Sequence, residues 1–83
     1  MIKKKNYSVL LLLRKNDSFC NKFLKFISPI CKSISVIWTE NNKKNFLIKK
    51  RYDFIISYRS SVILTSKDIS MAKIAAINLH PGS

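Results

Sequence analysis

The chain has 83 residues, a formal net charge of +12 and a hydrophobic fraction of 47%. So short a chain holds one small domain and buries only about 60–65% of the surface that its unfolded form exposes. The apolar content excludes a disordered tail, one Gly and two Pro exclude a linker, and the broken apolar runs exclude a membrane-spanning helix, which needs about 20 such residues in a row.

The start, Met1-Ile2-Lys3-Lys4-Lys5, carries the charge of a secretory leader. The apolar run that follows is too short for a leader core, and Arg14 and Lys15 close it without a cleavage site, so a cytoplasmic protein is expected. Residues 7–13 contain Val9-Leu10-Leu11-Leu12-Leu13, a continuous run without alternation that predicts a central parallel strand covered on both faces. Asn16, Asp17 and Ser18 are candidate N-caps. Behind them Phe19, Cys20, Phe23, Leu24, Ile27, Ile30 and Cys31 recur at helical spacing, with Lys22, Lys25 and Lys32 mostly on the other side. Pro29 is expected to kink or end that helix near Ser28.

Residues 34–38 predict a second strand from their β-branched side chains. Residues 41–50 read either as a short helix or as a loop that pins Phe46, Leu47 and Ile48 onto the sheet. A third strand is predicted over 54–58. One or two helical turns follow over 65–71, with Thr65 or Ser66 as cap and Asp68 near the positive end of the dipole. A fourth strand covers 75–79. Apolar strands alternating with helices predict an α/β fold, a Rossmann-like parallel sheet of about four strands with flanking helices. In the usual doubly wound order, strand four is expected beside strand one, opposite strands two and three, with ligands bound at the switch point outside the carboxyl ends of the strands.

The last strand delivers Asn78 and His80, two residues apart and therefore on one face. A carboxamide donor can stabilise an oxyanion, and an imidazole can do so and also carry protons near neutral pH, which suits acyl transfer. The motif Asn78-Leu79-His80-Pro81 stands behind Tyr52-Asp53-Phe54-Ile55-Ile56-Ser57-Tyr58-Arg59-Ser60 and Ile63-Leu64. Together these segments resemble the folate-dependent formyltransferases, among them the enzymes that formylate methionyl-tRNA, glycinamide ribonucleotide and amino sugars.

The resemblance covers residues 52–83 and implies that the chain, residues 1–83, is a partial, truncated amino-terminal formyltransferase domain. Its co-substrate would be formyl-tetrahydrofolate and its acceptor an amine, of methionyl-tRNA or of a nucleotide-linked amino sugar. Asn78 would donate to the oxyanion and His80 would stabilise it and assist proton transfer. Tyr58, Arg59, Ser60, Ile63 and Leu64 would border the pterin. The family's third residue, an Asp beyond the motif, has no counterpart here: Asp17, Glu40, Asp53 and Asp68 all precede it, so the chain is expected to be inactive alone. An uncovered fourth strand would favour self-association. Gly82 follows Pro81 where the best-known members have Ser, which leaves the acceptor open.

The competing reading is a small basic RNA-binding module in which Asn78 and His80 are structural. The charge supports it weakly, because 13 of the 16 basic residues are Lys, whereas readers of phosphates and bases favour Arg. The cluster Lys43, Lys44, Lys49, Lys50 and Arg51 reads as a solvated face. Arg14-Lys15-Asn16-Asp17 lacks the glycines of a phosphate loop, so NAD or ATP binding is not expected. Cys20 and Cys31 form neither a metal set nor a helix-spanning disulfide and are expected to be reduced.

Overall fold

Val9 to Leu13 are each at most 3% exposed and form the middle of β1 (Ser8–Arg14), the strand around which everything else is arranged. In the computed structural model, which describes residues 7–41 and 44–79, β1 is followed by α1 (Ser18–Ile27), β2 (Ser33–Thr39), β3 (Tyr52–Tyr58), α2 (Ser66–Ile69) and β4 (Ala72–Leu79). All neighbouring strands run parallel. This is the expected α/β, Rossmann-like sheet of four strands.

Local chemistry sets the helix ends. Asp17 is the N-cap of α1, its carboxylate accepting from the backbone N–H groups of Phe19 and Cys20 at 2.9 and 3.2 Å, which satisfies two of the orphan donors of the first turn. Pro29 cannot continue the α-helical hydrogen bonding, and α1 passes into one 3-10 turn, Ser28–Ile30. The single turn of α2 is closed at its start by a capping box: Asp68 N–H donates to the Thr65 hydroxyl, and Thr65 N–H donates to the Asp68 carboxylate.

The strand order is β2-β1-β3-β4, which corrects the expected placement of strand four beside strand one. Strand three takes β1's second edge, and β4 lies outside it. The crossovers explain the order. Helix α1 packs Cys20, Phe23, Leu24 and Ile27 against Val9, Leu11, Leu13 and Ile56 on one face. On the other face the connection from β2 lays Phe46 and Ile48 over Leu10, Leu12 and Ile55, carrying the chain across β1 to its far side. This connection forms neither helix nor strand over residues 44–51. It pins two of the three expected side chains, while Leu47 stays exposed. β2, with Ser33 and Ser35 among its residues, is an edge strand. β4 is the other edge, and Ile74, Ile77 and Leu79 remain 56%, 37% and 40% exposed.

The switch point of this sheet therefore falls between β1 and β3, where the two crossovers leave on opposite faces. Asn78 stands one strand away from it, on β4. Cys20 and Cys31 are free thiols, and they do not share one helix, since α1 ends at Ile27. Among the described residues no helix is long and apolar enough to cross a membrane. His80, the segment Met1 to Lys5 and Lys43 lie outside the described residues.

Candidate functional site at the carboxyl ends of the strands

The parallel arrangement brings the carboxyl ends of four strands to one lip, and the chain places distinct chemistry at each. After β1, Asp17 is only 6% exposed and receives two guanidinium groups. Arg14 donates through Nε at 2.9 Å and through Nη2, and Arg59 donates through Nε at 2.8 Å. The Arg59 bond, against the opposing effect of burial and with help from Arg14, holds the Asp17 carboxyl far below the usual carboxylate range. Arg59 adopts a left-handed backbone, φ 59°, unusual for a side chain with a Cβ. Its guanidinium also lies over the Phe19 ring, 4.8 Å from the centroid.

Beneath the lip, two buried hydroxyls tie β2 to the loop after β3. Thr39 donates to the Leu13 carbonyl at 3.2 Å, its oxygen lies 2.9 Å from that of Ser60 in a second hydrogen bond, and Val62 N–H donates to Ser60 Oγ at 3.2 Å. Thr39, Ser60 and Val62 are each at most 3% exposed. The Ser57 hydroxyl, fully buried in β3 and opposite Asn78 in register, has no hydrogen-bond partner among the described residues.

The residues singled out by the motif and the family resemblance separate into four environments. Tyr58 packs on Phe23 of α1, ring centroids 4.8 Å apart. Arg59 is engaged with Asp17, and the Ser60 hydroxyl is buried with Thr39. Among the described residues, Ile63, Leu64 and Asn78 share a cavity, together with Ser61, Val62, Ile69, Ala76 and Ile77. Ile63 is 82% exposed at its rim, while Leu64 also packs on the Leu10–Leu12 side of the sheet. The volume is about 170 Å³, below the roughly 300–1,000 Å³ of small-molecule sites.

A larger open cleft of about 620 Å³ lies at the other side of the lip, lined by Lys15, Asn16, Asn21, Trp38, Glu40 and Asn45. Sequence reasoning missed it, and it missed the Asp17 pair of arginines. Asp17 was legible as one of three candidate caps, but its partner Arg59 is 42 residues away, a distance at which no periodicity speaks. The basic cluster is partly absorbed: Lys44 pairs with Asp68 at 3.3 Å and lies over Phe46, and Lys50 lies over Tyr52. Among the described residues no three His, Cys, Asp or Glu side chains gather as a metal site would need.

The fold and its lip thus define a small doubly wound α/β protein with its polar chemistry at the strand ends, the usual place for ligands in this class. Compared with protein-family models, with curated proteins and with solved structures, the chain matches none.

Proposed function

We propose that this chain is the amino-terminal part of a cytoplasmic folate-dependent formyltransferase, with Asn78 presenting its carboxamide to the formyl carbonyl and residues 61–64 walling the pterin side. One observation carries the reading. Asn78, from the motif, and Ile63 and Leu64, from the loop that the resemblance assigns to the folate, line a single cavity at the carboxyl end of the sheet, although they come from different elements. An exposed carboxamide there is free to donate to an oxyanion as charge develops on it. His80 follows two residues later in the motif and is assigned proton transfer. The reading assigns binding of formyl-tetrahydrofolate to these residues, with an amine of methionyl-tRNA or a nucleotide-linked amino sugar as acceptor.

The test is an NMR titration with 5-formyltetrahydrofolate, a stable relative of the donor. Saturable shifts confined to Ile63, Leu64, Ala76 and Asn78 are expected, with affinity falling about tenfold in Asn78→Ala, the cost of one hydrogen bond at the upper end of its range. Shifts that map elsewhere, or none at saturating ligand, would sink the proposal. Binding of RNA with a steep salt dependence and unchanged by Asn78→Ala would install the basic-module reading in its place.

A further inference from the structure

We propose that the open cleft at the carboxyl ends of β1 and β2 binds a neutral, polyhydroxylated sugar ring. This stands apart from formyl transfer, because the cleft flanks edge strand β2 while Asn78 belongs to the opposite edge strand, β4.

The cleft is built from four segments. Lys15 and Asn16 come from the turn after β1, which Lys15 N–H fixes to β2 by donating to the Thr39 carbonyl at 2.9 Å. The turn itself is made by Asn16 in a left-handed conformation, φ 59°. Asn21 comes from α1, Trp38 and Glu40 from the end of β2, and Asn45 from the crossover. Trp38 is the register partner of Leu13 yet is 43% exposed, an aromatic face open to solvent among polar groups. The volume, about 620 Å³, falls within the range of small-molecule sites.

The chemistry of the lining selects the ligand class. The π face of an indole is electron-rich and suits the weakly positive C–H groups on one face of a pyranose. Each of the three carboxamides offers both donors and an acceptor, as each hydroxyl of a sugar requires. Lys15 and Glu40 pair at 3.1 Å with their side chains 54% and 65% exposed. An exposed pair of this kind is worth only about 0–1 kcal/mol, so it opens readily. The carboxylate can then accept from two adjacent hydroxyls while the ammonium donates to a third. A nucleotide or phosphate fits worse. Among the described residues the lining holds one cation and one anion, and an anionic ligand would find Lys15 already matched by Glu40.

Trp38 is the only tryptophan in the chain, so its fluorescence reads this cleft alone. Titration with free hexoses and N-acetylhexosamines is expected to give a saturable blue shift with a dissociation constant in the millimolar range, unchanged by added salt. Asn21→Ala and Asn45→Ala, both at exposed positions, are each expected to raise that constant about tenfold without moving the thermal midpoint. Three results would overturn the proposal: no saturable change with any sugar up to its solubility, variants that bind as the parent does, or a response to adenosine or inorganic phosphate at lower concentration than to any sugar.

Discussion

Ser60 tests whether the loop after β3 is a ligand contact or a structural joint. The resemblance would place it beside the pterin, but its hydroxyl is buried between Thr39 and the Val62 N–H. In Ser60→Ala the Val62 N–H, itself in a buried residue, loses its acceptor with no route to water, while Thr39 keeps the Leu13 carbonyl. Leaving one buried donor unpaired costs about 1–3 kcal/mol. In a domain of this size each kcal/mol moves the thermal midpoint by about 4–8 °C, so a fall of about 8–16 °C is expected for a loss near 2 kcal/mol. Urea denaturation of Ser60→Ala, Thr39→Val and the double variant checks the origin of the loss. The two changes share one hydrogen bond and should be non-additive by at least about 0.5 kcal/mol. Ile63→Ala, at a position 82% exposed, is the contrast and should stay within about 0.5 kcal/mol of the parent. If Ser60→Ala is equally neutral, or the cycle is additive, the hydroxyl joint is not what holds this loop.

Two further outcomes follow from the charges and the open edge. Asp17 titrates lower in the folded chain than in the unfolded one because Arg59 and Arg14 bind its anion. Asp68 is also lowered: burial pushes it up, but the hydrogen bonds from Thr65 and the pairing with Lys44 outweigh that. A lowered folded value stabilises above the unfolded carboxylate range and is lost on acidification. The urea midpoint should therefore hold near neutrality and fall below about pH 4, with Asp17→Asn flattening the fall; an unchanged slope in that variant would refute the assignment. Among the described residues β4 pairs on one side only and leaves Ile74 and Ile77 exposed, so sedimentation velocity should show self-association that Ile74→Lys and Ile77→Lys reduce. A parent that stays monomeric at high concentration would refute this.

How much could be read from the residues differs from element to element. The run Val9 to Leu13 announced a strand buried on both faces, because only a central parallel strand tolerates five consecutive apolar side chains at this length. Local residues marked the helix ends within a residue or two: Asn16, Asp17 and Ser18 were all candidate caps and the structure uses Asp17, Thr65 or Ser66 was the candidate for α2 and the structure uses Thr65, and Pro29, lacking an N–H, ends the α-helical bonding of α1. The segment 44–51 was ambiguous because its apolar residues fit neither period. It found its conformation only by laying Phe46 and Ile48 over β1.

The amino-acid sequence by itself indicated four apolar strands, a helix between the first two with candidate caps at Asn16, Asp17 and Ser18 and a break near Pro29, and Asn78 near the end of the last strand, since each of these depends on side-chain period and on neighbours a few residues away. Only the tertiary structure decided that β3 takes the far edge of β1. It alone brought Arg59 onto Asp17, buried Ser60 against Thr39, and set Asn78 beside Ile63 and Leu64. The physical reason is that a crossover can dock a strand on either edge of β1 with the same pattern of apolar residues. The choice is made by which face the connecting segment covers, and the strand order then determines which polar groups meet at the lip.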